Sequence, residues 1–185
     1  MIKIKTPSAV ESVSGADVRG YLRMDSTAYD TTLDMFATSA RTMAEEYTHR
    51  SFTTQTWYLL LDANQVTDTI QLARPPLQTV SSVKVYNDAG TLSAAIDSAS
   101  YSVDTFNDPG WIILNPGYSW PYMREYNGML IEFVTGYGAA ASNVPAQIRM
   151  AITETAANWY NDDRSESRLP SSALNKLKPY KVIYL

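Results

Sequence analysis

Met129-Leu130-Ile131-Glu132-Phe133-Val134 runs into Gly136-Tyr137-Gly138, and after the Ala139–Asn143 break Val144-Pro145 opens a different pattern. The first stretch is rich in apolar and β-branched residues and stops at glycines, as a strand does. The second sets Ile148, Ile152, Ala156 and Trp159 or Tyr160 along one helical stripe, with a proline suited to a first helical turn. A strand giving way to an amphipathic helix at this point sets the class as α+β, with a β-rich middle between helical ends.

Upstream of that junction the strand signals continue. Thr53-Thr54-Gln55-Thr56-Trp57-Tyr58-Leu59-Leu60-Leu61 is β-branched and aromatic. Thr69-Ile70-Gln71-Leu72 alternates until Arg74-Pro75-Pro76 halts it, because proline has no N–H for a ladder. Val80-Ser81-Ser82-Val83-Lys84-Val85-Tyr86 is closed by the turn sequence Asn87-Asp88-Ala89-Gly90. Tyr101-Ser102-Val103-Asp104 and Trp111-Ile112-Ile113-Leu114 flank Asn107-Asp108-Pro109-Gly110 as a hairpin. Short strands so closely spaced predict an antiparallel meander or a small barrel.

The first fifty residues read as helical. Ser14 with Asp17 three residues on marks a helix start, and a short helix through Val18, Tyr21 and Leu22 follows. A longer helix over 27–48 carries Leu33, Phe36, Ala40, Met43 and Tyr47 at spacings of three and four, a single apolar stripe that needs a partner. Beyond the long C-terminal helix, Pro170 starts a short one over Ser171–Leu177, and Pro179 ends it. The expected organisation is therefore residues 1–50 as the N-terminal part of a helical core, 51–138 as a β-rich insertion, 139–169 as the long helix that completes the core, and 170–185 as a short helix and tail. From Ser167 to Leu185 there is no acidic residue, while Arg168, Lys176, Lys178 and Lys181 are cationic, and the last six residues carry one charge.

Composition narrows the functions open to the chain. It has 185 residues, 45% hydrophobic and 18% charged, which is ordinary globular composition. A formal net charge of −4 lacks the basic surplus of a dedicated nucleic-acid binder. With no cysteine, disulfides and thiolate zinc sites are excluded, and the single His49 leaves no local pair for a histidine metal site. Its position at the end of a helical stripe suits a structural role at the dipole. The start of the sequence lacks a signal-peptide apolar run, and no stretch approaches the roughly 20 apolar residues that span a bilayer. The expectation is a soluble protein made in the cytoplasm.

Enzyme chemistry finds little support. No phosphate-cradling glycine pattern and no Gly-x-Ser-x-Gly elbow occur. Asp104, Asp108, Glu125 and Glu132 are the acids available for glycoside hydrolysis, and turns or solvated strand faces account for all four. The chain is rich in amphipathic aromatics, 13 Tyr and 4 Trp against 4 Phe, which suit interfaces and half-buried sheets. Trp57 and Trp111 fit strand interiors, Trp159 a helical core stripe, and Trp120 a loop. A carbohydrate-binding module or glycoside hydrolase, presenting an exposed aromatic row, is the alternative from another functional class. No cofactor and no catalytic residue is expected.

The order of short motifs adds a family resemblance. Tyr21-Leu22-Arg23-Met24-Asp25 leads to Glu46-Tyr47-Thr48-His49-Arg50, then Thr54-Gln55-Thr56-Trp57 and Leu72-Ala73-Arg74-Pro75-Pro76-Leu77-Gln78-Thr79-Val80. Tyr101-Ser102-Val103-Asp104, Pro109-Gly110-Trp111-Ile112-Ile113-Leu114 and Ser119-Trp120-Pro121 follow. Phe133-Val134-Thr135-Gly136-Tyr137-Gly138, Val144-Pro145, Ile148-Arg149 and Asn158-Trp159-Tyr160 close the series. Over nearly its whole length, and least in the C-terminal section, the chain resembles the head–tail connector (adaptor) proteins of tailed bacteriophages and prophages.

That resemblance implies a non-enzymatic virion subunit in the neck. Its copies would form a dodecameric ring beneath the portal protein, extend the DNA channel and meet stopper or tail-completion proteins below. Twelve copies would carry about −48, a body that repels DNA rather than gripping it, so DNA would pass without specific binding. The cationic tail, with Lys176, Lys178, Tyr180, Lys181, Ile183, Tyr184 and Leu185, would dock on the portal and order as it binds. Arg74, Trp120 and Tyr122 are the candidate exposed loop contacts. A stopper or tail-completion protein is the neighbouring reading.

Overall fold

The computed structural model describes residues 1–161 and 168–183. In chain order the elements are β1 (Ile2–Thr6), α1 (Gly15–Leu22), α2 (Asp30–Thr48), β2 (Gln55–Leu61), β3 (Thr69–Gln71), β4 (Leu77–Val85), β5 (Tyr101–Asp104), β6 (Trp111–Leu114), β7 (Met129–Thr135), α3 (Ala146–Asn161) and α4 (Ser171–Leu177). The class is α+β, as the sequence predicts. The chain divides into two compact units, one of Met1–Ser8 with Thr54–Gly136 and one of Ala9–Thr53 with Tyr137 onward.

In the sheet unit all pairings are antiparallel. One sheet has the order β1-β2-β7-β4 and the other β3-β6-β5. The meander expectation fails here, because β7 lies between β2 and β4 although both precede it by many residues. Period-two alternation explains the choice. β7 buries Met129, Ile131, Phe133 and Thr135 and leaves Leu130, Glu132 and Val134 half-exposed, so an interior place satisfies both of its edges and one full face. Opposite Phe133 stand Trp57 of β2 and Val80 of β4, and opposite Ile131 stand Leu59 and Val83. Phe133, Ile131 and Val83 are fully buried, and each such side chain contributes roughly 1.5–3 kcal/mol.

The N-terminal boundary also moves. Residues 1–50 were expected to be helical, yet Ile2–Thr6 forms an edge strand on β2, Ile4 opposite Trp57 and Lys3 opposite Tyr58. Lys5 reaches the carboxylate of Glu132 at 2.5 Å. That hydrogen bond, set against some burial, holds the Lys5 ammonium above its ordinary range.

The helical unit starts as its capping residues dictate. Asp17 N–H donates to Ser14 Oγ at 3.2 Å and Ser14 N–H donates to Asp17 Oδ2 at 2.8 Å, a reciprocal capping box. Tyr21, placed in the α1 stripe by its spacing, is exposed instead. The α2 stripe is also shifted. Its buried line is Leu33, Ala37, Ala40, Ala44 and Thr48, with Phe36 and Tyr47 half-buried beside it. Small residues let helix axes approach, and α3 answers with Ala151, Ala156 and Ala157. Helix α4 spans Ser171–Leu177 as predicted and buries Ala173 and Leu177.

One polar network is sealed among these helices. Glu45, only 7% exposed, accepts from the backbone N–H of Phe52 at 2.7 Å and from Arg41 Nη1 at 2.5 Å. Arg41 Nε also donates to Glu11 at 2.6 Å. Burial opposes the charge on Arg41, and Glu45 and Glu11 more than offset this, so its guanidinium is held above its usual range.

Candidate assembly surfaces

The tail proposed from sequence as a docking element is in large part packed on its own helical unit. Lys176 Nζ donates to Glu154 at 2.7 Å, tying α4 to α3. Burial opposes the charge on Glu154, but hydrogen bonds from Lys176 and Ser172 and the Lys176 charge outweigh it and hold the carboxyl below its usual range. The carbonyl of Tyr180 accepts from Arg50 Nε at 2.6 Å, and Lys181 Nζ lies 4.8 Å from the centre of the Tyr47 ring. Val182 is buried and its N–H donates to the carbonyl of Thr48 at 3.0 Å. Lys178, Pro179 and Lys181 are nevertheless exposed, and Ile183 is 77% accessible. Tyr184 and Leu185 lie outside the described residues.

A groove of about 680 Å³ opens on the same unit, lined by Ala146, Gln147 and Met150 of α3, Ser172, Asn175 and Lys176 of α4, and Pro179. A smaller depression of about 250 Å³ shares Ala146 and Met150 and adds Val13, Asp17, Arg149 and Thr153 among its walls. Met150 is 45% exposed.

In the sheet unit the three candidate loop residues differ in exposure. Arg74, in the left-handed region at φ 63°, is half-buried with its guanidinium 5.3 Å from the centre of the Trp57 ring. Trp120 is half-buried against Tyr101, ring centres 6.2 Å apart, and its indole N–H donates to the carbonyl of Thr67 at 3.0 Å. Tyr122 is exposed, and its hydroxyl bonds Asp88 at 2.8 Å, which pushes the phenol up.

Sequence reading missed the most accessible apolar side chain in this unit, Phe106, which is fully exposed. It stands on the β5–β6 loop. Asp104 Oδ1 accepts from the N–H of Phe106 at 2.9 Å and of Asn107 at 3.3 Å, so the turn is pinned behind an outward phenylalanine. The one signal available was the turn sequence itself.

None of the acids weighed for hydrolysis gathers into a metal-binding cluster among the described residues. Hydrogen bonds from the Asn107 side chain and the Phe106 and Asn107 backbone hold the Asp104 carboxyl below its usual range, which is the behaviour of a turn carboxylate rather than a proton donor. Glu132 is paired with Lys5. All four tryptophans are buried or half-buried, so no tryptophan platform is presented for a sugar. His49 closes α2 in the left-handed region at φ 57°.

No protein-family model matches the chain, and no curated protein matches it. Solved structures do. A chain from the neck of an empty gene transfer agent (GTA) particle, computed with C6 symmetry, superposes with a TM-score of 0.82 at 21% identity, covering 100% of this chain and 97% of that one. The fold is one found in gene transfer agent necks. A chain from the native GTA virion follows at a TM-score of 0.79 and 22% identity, and one from the native GTA neck computed with C12 symmetry at 0.76 and 22%, both with the same coverage. The correspondence takes in both units, so the β-rich segment between α2 and α3 belongs to the shared fold.

Proposed function

We propose that this chain is a structural, non-enzymatic subunit of a phage-type particle neck. In this reading it is a head–tail connector whose copies form a ring, dodecameric in the first instance, between portal and tail-completion proteins. The observation that carries the reading is the end-to-end correspondence with chains of particle necks, over 100% of this chain and 97% of theirs. Necks reconstructed with C6 and C12 symmetry are compatible with such a ring. A net charge of −4 per copy suits a conduit through which DNA slides without being held.

The portal is proposed as the upper partner and the C-terminal end as the element that meets it. Tyr180 and Val182 are engaged within the helical unit while Lys178 and Lys181 stay exposed, so the proposed docking segment is narrowed to Ile183, Tyr184 and Leu185 together with those two lysines. Deletion of residues 183–185 is expected to leave the thermal midpoint unchanged and to abolish co-sedimentation with portal-bearing heads. Retained co-sedimentation refutes the docking role. For the ring itself, native mass spectrometry of the protein with its portal is expected to give a closed multimer. A monomer that binds glycans on an array refutes the neck reading.

A further inference from the structure

We propose that Phe106 is the knob of the subunit-to-subunit contact and seats in the α3–α4 groove of a second copy of this chain. The proposal rests on the ring reading above. A phenylalanine that is 100% exposed is uncommon, and this one is held on an ordered turn by three hydrogen bonds to Asp104, from the Phe106 and Asn107 backbone and the Asn107 side chain. Little ordering entropy remains to be lost when such a side chain is seated, which is what makes an aromatic anchor effective.

The groove matches the knob in chemistry. Ala146, Met150 and Pro179 give its lining apolar surface among Gln147, Ser172, Asn175 and Lys176, and its volume of about 680 Å³ is ample for one aromatic side chain. The loop over 104–110 carries Asp104 and Asp108 and no cation, whereas the described residues of 168–183, which include α4, carry Arg168, Lys178 and Lys181 beyond the Lys176 that Glu154 already neutralises, and no acid.

Knob and groove lie on different units of one chain. Where the contact runs one way, from each copy to the next, it is heterologous, and repetition closes a ring when the rotation allows. A self-complementary patch would stop at a dimer.

The absence of cysteine permits a direct test. In the full chain carrying both Phe106→Cys and Met150→Cys, mild oxidation at high protein concentration is expected to give a ladder of disulfide-linked dimers, trimers and larger multimers. Each single variant is expected to give at most a dimer. A product that is only an internally bridged monomer, or a double variant no more cross-linked than the singles, overturns the contact. Phe106→Ser supplies a second reading, because a fully exposed side chain can be removed without loss of thermal stability. Ring formation is expected to weaken at least tenfold. Undiminished rings from Phe106→Ser overturn this inference and leave the ring reading standing, for instance with a partner protein or another copy's tail in the groove. Failure of the unaltered protein to assemble, alone or with its portal, overturns both.

Discussion

Glu45→Ala tests the helical unit at its most sealed polar point. The substitution removes the acceptor of the Phe52 N–H, at 2.7 Å, and one partner of Arg41, at 2.5 Å. Phe52 is fully buried, so its N–H is left without water as a substitute, a loss of roughly 1–3 kcal/mol. Breaking a buried ion pair from one side costs roughly 3–5 kcal/mol and already includes such orphaned groups. Arg41 keeps Glu11 at 2.6 Å, which places the total near the lower end, about 3 kcal/mol. With a urea slope of about 2 kcal/mol per molar, the midpoint falls by about 1.5 M. Far-ultraviolet circular dichroism isolates the response, because all four described α-helices belong to this unit. Glu11→Gln is the control. That side chain is 36% exposed, and an ion-pair partner so open to solvent is worth about 1 kcal/mol at most. Equal midpoints for the two variants, or a changed slope for Glu45→Ala, would refute the argument that Glu45 carries the network.

A methyl group at Gly110 would meet Leu77 Cδ2 at 2.6 Å and the Asp104 carbonyl at 2.9 Å, so Gly110→Ala is expected to destabilise the sheet unit by about 1–3 kcal/mol in a denaturant titration. Gly20→Ala meets nothing within 4 Å inside α1 and is expected to stabilise by roughly 0.5–1 kcal/mol in the same assay. Because the Glu154 carboxyl is held below its ordinary value of 4.5, its pairing with Lys176 adds stability above that value and loses it as pH falls through the lowered one. The difference in thermal midpoint between the unaltered protein and Lys176→Met is therefore expected to be constant at neutral pH and to vanish in acid. Ser14→Ala removes the α1 cap and is expected to cost about 1 kcal/mol by thermal melting.

What could be read from sequence was local chemistry. Helix α4, β5 and β6 begin and end where predicted because Pro170, Pro179 and the Asn107–Gly110 turn punctuate them regardless of context. The Ser14 cap was legible for the same reason. What escaped was decided by partners distant in the chain. Ile2-Lys3-Ile4-Lys5 does alternate, yet its strand exists only because Gln55–Leu61 offers an edge some fifty residues later. The α2 stripe was traced through its large residues, while the buried line runs through Ala37, Ala40 and Ala44, which have no polarity to betray a face. Trp120 does lie on a loop, but Tyr101 and Thr67 draw it inward, so it is half-buried where an exposed contact is expected. The tail's charge pointed outward, yet Arg50 holds Tyr180 from 130 positions away. Phe106 went unnoticed because a turn sequence says where the chain bends and nothing about what stands on the bend.

The chain passes between its two units at residues 8/9, 53/54 and 136/137, and this has a consequence during synthesis on the ribosome. Once residue 136 has emerged, every strand of the sheet unit is available and that unit can close. Helix α2 has no such opportunity. Its alanine face must wait, wet and unpaired, until α3 is translated, so a nascent chain passes through a stage with one half formed and the other half bare. Synthesis itself thus postpones the α3–α4 groove until both of its helices have emerged.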